Sequence, residues 1–334
     1  LEDGDVALVT AGTVTVRQDG APVSRPENKI LWNVEDARKG GYEHFMLKEI
    51  HEQPRVIRET LNEYFSAGET GDGLAGWDTS SLENLLILAC GTSYHAGLIG
   101  KYIFERLTGV PVRVEHADEF IYSGRTAPRA QALVITQSGE TLDVLKAVRA
   151  LKDAGCGVIG ITNVVGSTLS RVVDQVLYTR AGPETSVAAT KSHVAQIIAL
   201  YWLAVPHAGV DASQLESLYL NLRQLPVKVQ QVLDNQGAIA EAARDLSRYD
   251  NLFFIGKGIN YPVALEGALK MKEISYAHAE GYASGELKHG PFALLGEKTP
   301  VVALMAPDNT YEPMVTSLKE IKARHSPVLV LAAE

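Results

Sequence analysis

Two hydroxyl-rich turns and one cluster of titratable residues are placed where they could do chemistry. Thr136, Gln137, Ser138, Gly139, Glu140 and Thr141 follow the apolar run Leu133, Val134 and Ile135, and Leu142, Val144 and Leu145 then resume at helical spacing. The hexapeptide therefore sits where a buried strand gives way to a helix. The first turn of a helix leaves backbone N–H groups unpaired and carries partial positive charge. A phosphate can be held there by amides and by the hydroxyls of Thr136, Ser138 and Thr141. Gly139 lets the backbone come close to such a ligand. Cys90-Gly91-Thr92-Ser93 closes an earlier strand in the same way. In an open α/β sheet, ligands lie beyond the carboxyl ends of the strands near the topological switch point, where two such turns can share one ligand. The plainer reading of both turns is helix capping, which Ser and Thr favour with or without a ligand.

Residues 266–290, EGALKMKEISYAHAEGYASGELKHG, hold the titratable cluster. Lys270 and Glu273 are three apart on a predicted helix, so an ammonium and a carboxylate share one face and can meet one cavity. Glu266 and Lys270 are four apart, and the plainer account is a solvated face with ion pairs worth about 0.3–0.5 kcal/mol. Against it stand the small neighbours Gly267, Ala268, Ala277, Ala279, Ala283 and Gly285, which suit close packing. His289 lies in a polar turn ended by Gly290-Pro291 and can move protons near neutral pH, although a loop histidine alone reads first as a surface residue. No HExxH, Walker A or strand-linked GxGxxG is present, so metal hydrolase, nucleotide kinase and Rossmann dehydrogenase have no support. Neither a metal nor a cofactor is called for.

The elements that must position these residues alternate strand, turn and helix from Leu82 onward. Strands are predicted at Leu85–Ala89, Val112–Ala117, Leu133–Ile135, Val158–Ile161 and Gln175–Thr179, with helices between them. Alternation of this kind specifies an α/β fold with a doubly wound, mostly parallel sheet. Residues 184–206 and 213–247 read as long helices. A weak internal repeat sets LLILACGTSY over LFFIGKGINY, pairing Gly91 with Gly258 and Tyr94 with Tyr261 at a common offset of 167 residues. Two such subdomains in tandem are therefore expected, at 76–225 and 226–334, the second ending within the strand Val328–Ala332. Ahead of them, residues 1–28 form a short β segment with a hairpin turn at Asp19-Gly20. Residues 29–75 form a linker, with a helix over 43–65 interrupted at Pro54 and a Gly-rich stretch at 68–76.

Composition sets the outer limits. A chain of 334 residues that is 46% apolar can bury a large core in roughly two domains. Its longest apolar run, near Ile197–Val205, is too short to span a bilayer, and no membrane partner is expected. Two cysteines, Cys90 and Cys156, make neither a disulfide framework nor a zinc spacing, a usage that fits a reducing cytoplasm. A formal net charge of −9 argues against nucleic acid and means that a phosphorylated ligand must be held by local groups.

Taken together, three stretches resemble the glucosamine-6-phosphate synthase family, the glutamine:fructose-6-phosphate amidotransferases. They are Cys90-Gly91-Thr92-Ser93-Tyr94-His95, Gln137-Ser138-Gly139-Glu140-Thr141, and the run from Gly258-Ile259-Asn260-Tyr261-Pro262 through Leu265–Lys270 to Gly285–Gly290. The resemblance covers nearly the whole chain. It implies that residues 1–28 are the end of a glutaminase domain, followed by a linker and paired sugar-isomerase domains. It implies a fructose 6-phosphate site in which Thr136, Gln137, Ser138 and Thr141 hold the phosphate, with Thr136 where serine is usual. Thr92, Ser93 and Val187 are implied to contact the sugar. Glu273 matches the carboxylate that shuttles a proton between C1 and C2, Lys270 its assisting lysine, and His289 a ring-opening histidine supplied by the neighbouring subunit of a homodimer.

Two departures lie near the sugar: Ala189 replaces a hydroxyl residue and Ser186 replaces a glycine. The family's N-terminal cysteine nucleophile and the C-terminal tail whose lysine forms an imine with the sugar are absent from the sequence as given, which is therefore expected to lack glutamine-dependent synthesis. The product implied is glucosamine 6-phosphate, with ammonia from glutamine. A deglycase, a simple aldose–ketose isomerase and a non-catalytic sugar-phosphate sensor are the alternatives. Lys270, Glu273 and His289 together favour an enzyme, because a sensor needs only the phosphate loop.

Overall fold

The computed structural model describes residues 1–26, 38–65, 84–123 and 131–332. The Gly-rich stretch expected at 68–76 lies outside the described residues. The chain divides into two compact units, Leu1–Asn33 and Val34–Glu334. In the first, β1 (Asp5–Val9), β2 (Val14–Gln18) and β3 (Ala21–Val23) form an antiparallel meander. Asp19 and Gly20 turn β2 into β3 with φ of 52° and 82°, the paired left-handed residues of a type I′ hairpin. The Arg25 guanidinium grips Asp5 at 2.8 and 2.9 Å and brings its carboxyl down to about 2.

The second unit opens with α1 (Phe45–Phe65) and then winds through a first sheet. Its elements are β4 (Leu85–Ala89), α2 (Gly91–Thr108), β5 (Val112–His116), α3 (Ala117–Tyr122), β6 (Gln131–Ile135), α4 (Leu142–Asp153), β7 (Gly157–Thr162), α5 (Thr168–Val172), β8 (Gln175–Tyr178) and α6 (Lys191–Ala204). Two helices, α7 (Ala212–Asp234) and α8 (Gln236–Leu246), lead to the second sheet. There the order is β9 (Asn251–Gly256), α9 (Asn260–Ser275), β10 (His278–Ala283), β11 (Val301–Met305), α10 (Tyr311–Ala323) and β12 (Val328–Ala332).

All strands of both sheets run parallel, ordered β5-β4-β6-β7-β8 and β10-β9-β11-β12. The two orders are the same: second strand, first, third, fourth. The repeat seen in one turn thus extends to the topology, and Gly91 and Gly258 share a left-handed backbone, with φ of 54° and 58°. β4 is buried along its whole length because its alternate residues feed different cores. Leu85, Ile87 and Ala89 pack with α1, α2 and α6, whereas Leu86 and Leu88 pack with α3 and α4. In the second sheet Phe253 and Ile255 face α10, and Leu252 and Phe254 face α9.

Three expectations change. α1 runs unbroken through Pro54. A helix that buries Val56, Ile57, Leu61 and Tyr64 tolerates one lost backbone hydrogen bond because packing holds it. The helix expected over 184–206 starts only at Lys191, because Glu184 accepts from the N–H groups of Thr190 and Ser192 and so caps α6. The helix expected over 213–247 breaks at Asn235. His278–Ala283, to which the sequence alone assigns no element, is a strand. Gly281 suits it because a Cβ there would stand 2.7 Å from the Leu265 backbone.

Candidate functional site

The crossover in the first sheet falls between β4 and β6, and the turns after these strands meet there. They wall a cleft of about 240 Å³ lined by Thr92, Ser93, Thr136, Gln137, Ser138, Thr141, Val187 and Glu273, with Cys90, Ile135, Val144 and Ala189. Every residue expected to bind substrate therefore lines one cavity. Thr141 is the N-cap of α4, yet its side chain makes no capping hydrogen bond. Its hydroxyl lies 2.9 Å from that of Thr136. Thr92 and Ser93 likewise serve tertiary contacts, Thr92 with α9 and Ser93 as acceptor from Gln196 Nε2 at 3.0 Å. Local capping does not describe these hydroxyls. Burial pushes the Cys90 thiol up, so it is a neutral wall of the cleft.

Gly139 is required for a reason other than ligand approach. Its φ is +70°, and a Cβ there would stand 2.2 Å from Ser167 Oγ. The turn after β7 is pressed against the Thr136–Thr141 turn, and the Thr168 N–H donates to Glu140 at 2.8 Å.

α9 supplies the titratable groups, and its face is not solvated. Gly267 lets the helix lie on Phe254, where a Cβ would meet the ring at 3.0 Å, and α9 packs against α2 on its other side. Lys270 Nζ is 2.5 Å from Glu273 Oε2 and donates to Thr92 Oγ1 at 3.1 Å. Thr92 in turn donates to Glu266 Oε1 at 3.0 Å, while His95 Nδ1 lies 2.7 Å from Glu266 Oε2. Burial would raise the Glu266 carboxyl, but His95 and Lys270 outweigh it and the net shift is downward. Glu273 reaches the cleft, and Lys270 stands behind it. His289, in the turn after Glu286–Lys288, is exposed and is not among the residues lining this cleft.

Reasoning from sequence missed Glu266, His95 and His193 as members of one network. His193, on α6, is driven below the usual histidine range by burial, and its Nδ1 is buried without a hydrogen-bond partner among the described residues. The spacing of Glu266 to Lys270 was visible, but His95 and Glu266 are 171 positions apart and no pattern links them. Ser186, in place of glycine, lies outside the positive-φ residues and carries no strain. Among the described residues no group of three or more His, Cys, Asp or Glu could hold a metal ion. Nor is any helix there long and apolar enough to cross a membrane.

The SIS domain model matches residues 80–206 and 245–334, the two wound sheets and their helices. The chain belongs to the SIS domain family. Among SIS relatives, the glutamine–fructose-6-phosphate aminotransferase (isomerizing) of Methanosarcina acetivorans is 46% identical over 344 residues, covering 99% of this chain and 56% of that protein. The chain spans little more than half the length of the curated relatives it matches. In three dimensions it is similar to the C-terminal domain of glucosamine-fructose-6-phosphate aminotransferase from Francisella tularensis. The TM-score is 0.81 and the identity 35%, over 88% of this chain and 85% of that one. The glucosamine-6-phosphate deaminase of Thermotoga maritima aligns with a TM-score of 0.71 at 26% identity, over 87% and 85% of the two chains.

Proposed function

We propose that this chain is the sugar-phosphate isomerising part of a glutamine:fructose-6-phosphate aminotransferase, which converts fructose 6-phosphate to glucosamine 6-phosphate with ammonia from glutamine. The observation that carries the reading is the convergence of the Thr136–Thr141 hydroxyls, Thr92, Ser93 and the Glu273 carboxylate on one cleft at the switch point. The hydroxyls and the first turn of α4 take the phosphate, which supplies binding energy remote from the reacting carbons. Glu273, tied through Lys270 to Thr92, moves the proton between C2 and C1 as base and then acid. His289, exposed on its own subunit, opens the sugar ring in the cleft of a partner subunit, which makes the working form a homodimer. The free thiols Cys90 and Cys156 suit a cytoplasmic enzyme.

Calorimetry with fructose 6-phosphate and with fructose tests the phosphate assignment; equal affinities would remove it. Mixing Glu273→Gln and His289→Ala subunits of the full-length protein tests the shared site, with partial recovery of activity expected and none if each site lies within one chain. The similarity to the Thermotoga maritima deaminase favours one second reading, release of ammonia from glucosamine 6-phosphate. Ammonia formed from that sugar without glutamine would select it.

A further inference from the structure

Residues 184–190, ETSVAAT, are irregular chain that brings Val187 and Ala189 to the wall of the cleft. Such a segment must find acceptors for its N–H groups or lose its shape. Glu184 serves the downstream end, accepting from Thr190 N at 2.9 Å and Ser192 N at 3.2 Å. The upstream end is held from elsewhere. Glu49 on α1 accepts from Thr185 N at 2.6 Å and Ser186 N at 3.2 Å, through the single atom Oε1. Val187, the next residue, stands 96% exposed.

Glu49 is 2% exposed, and its Oε2 is buried without a hydrogen-bond partner among the described residues. Burying a carboxylate is costly, and α1 has no need of it for docking. That helix is fixed independently by Thr60 Oγ1 donating to Thr179 O at 3.1 Å, by Trp202 Nε1 donating to Tyr64 O at 2.7 Å, and by Val56, Ile57 and Leu61 in the core. Beside it, Lys191 Nζ at the start of α6 meets Glu52 of α1 at 2.6 Å, with a side chain only 1% exposed. One face of α1 thus grips both ends of the 184–190 segment.

We propose that Glu49 is a positioning residue for the sugar site: through the Thr185 and Ser186 amides it fixes the loop that sets Val187 and Ala189 against the ligand. The inference rests on the reading of the cleft as a fructose 6-phosphate site. In the full chain, Glu49→Ala leaves two loop amides without their acceptor. It is expected to weaken fructose 6-phosphate about tenfold, the scale of one lost hydrogen bond to a charged group, raising KM more than it lowers kcat. Amide exchange at Thr185 and Ser186 should quicken, while Glu59→Ala on the exposed face of α1 changes neither. Glu49→Asp keeps the charge but withdraws the carboxylate by one methylene, and it covers the case in which the alanine variant does not fold. It is expected to lose several-fold in affinity with little change in Tm. Wild-type affinity and exchange in either folded variant would overturn the proposal. Failure of the wild-type chain itself to bind fructose 6-phosphate would instead bring down the site reading, and this inference with it.

Discussion

The two wound halves share one strand order and one left-handed glycine, and each has a cleft at its switch point, yet the chemistry of the two clefts is opposed. The common offset carries Thr92 and Ser93 onto Ile259 and Asn260. Three residues beyond the third strand of each sheet, the first half has Ser138 and the second has Asp308. Asp308 accepts from the N–H and hydroxyl of Thr310 at 2.8 and 2.6 Å, which holds its carboxyl below the usual range. The second cleft, about 1090 Å³, is lined by Lys257, Gly258, Ile259 and Asp308 together with residues of α2 and α7. Each half also lends a helix to the other's cleft. Glu273 of α9 lines the first, and its equivalent at the same offset, Arg106 of α2, lines the second. Lys270 corresponds to the buried Ile103. Topology makes a cleft in each half, and the side chains that line the two differ: hydroxyls and Glu273 in the first, Lys257, Arg106 and Asp308 in the second.

The largest effect should come from the borrowed helix. Glu273→Gln in the full-length enzyme is expected to lower kcat by about 10²–10⁴ while sparing fructose 6-phosphate binding; Arg106→Gln is expected to leave turnover as it was. Steady-state kinetics with calorimetry on both variants checks the pair. Comparable losses would mean that the halves are not divided in this way.

Next comes the Thr136–Thr141 turn. Ser138→Asp copies the second cleft into the first and sets a carboxylate against the ligand. Binding of fructose 6-phosphate should fall about 100-fold or more, since like charges brought together cost several kcal/mol. Ser138→Ala should cost about tenfold. Unphosphorylated fructose should respond weakly to both changes, and a parallel loss for it would show that the turn shapes the cleft and does not read the phosphate.

How much of this was legible in advance depended on sequence distance. Continuous apolar runs disclosed β4, β6, β7 and β9, and the hydroxyls after Ile135 disclosed one wall of the cleft, because strand, turn and side chain lie within ten residues. β10 was illegible: HAEGYA has no clean alternation, and it is a strand because β9 offers it an edge to pair with. Lys270 and Glu273 could be placed on one face but not judged half-buried, since their cover comes from Phe254 under Gly267 and from α2 across the seam. The links from His95 to Glu266 and from Glu49 to Thr185 join residues more than 130 positions apart, and only the fold brings them together. The internal repeat was the one long-range signal, and it was sufficient to pair α2 with α9.

Glycine substitutions probe the comparison at smaller scale. Gly139→Ala meets Ser167 at 2.2 Å on a backbone of φ +70°, so strain and overpacking together should cost about 2–4 kcal/mol. Gly258→Ala meets only Thr310 Cγ2 at 3.4 Å and should cost about 1 kcal/mol, the left-handed penalty alone. Urea denaturation of the two variants measures the difference. Equal losses would mean that the loop in the first half is no more tightly packed than its counterpart.

The smallest effect lies in the seam between the halves, where Glu266 is polar and its equivalent Ile99 is a buried aliphatic residue. His193 sits near Glu266, His95 and Lys270, and burial lowers its pKa below 6.5. For a base whose folded pKa is depressed, the unfolded chain takes up a proton before the folded one does, so its contribution to stability is complete above about pH 6.5 and declines as pH falls below it. Glu266, whose carboxyl is shifted down from 4.5, loses its contribution only in a separate, more acid window. Thermal denaturation between pH 7.5 and 5.5 should therefore show a shallow decline in Tm that His193→Phe flattens. An unaltered slope in that variant would assign the decline to other histidines and leave the seam, like its aliphatic half, indifferent to pH across this range.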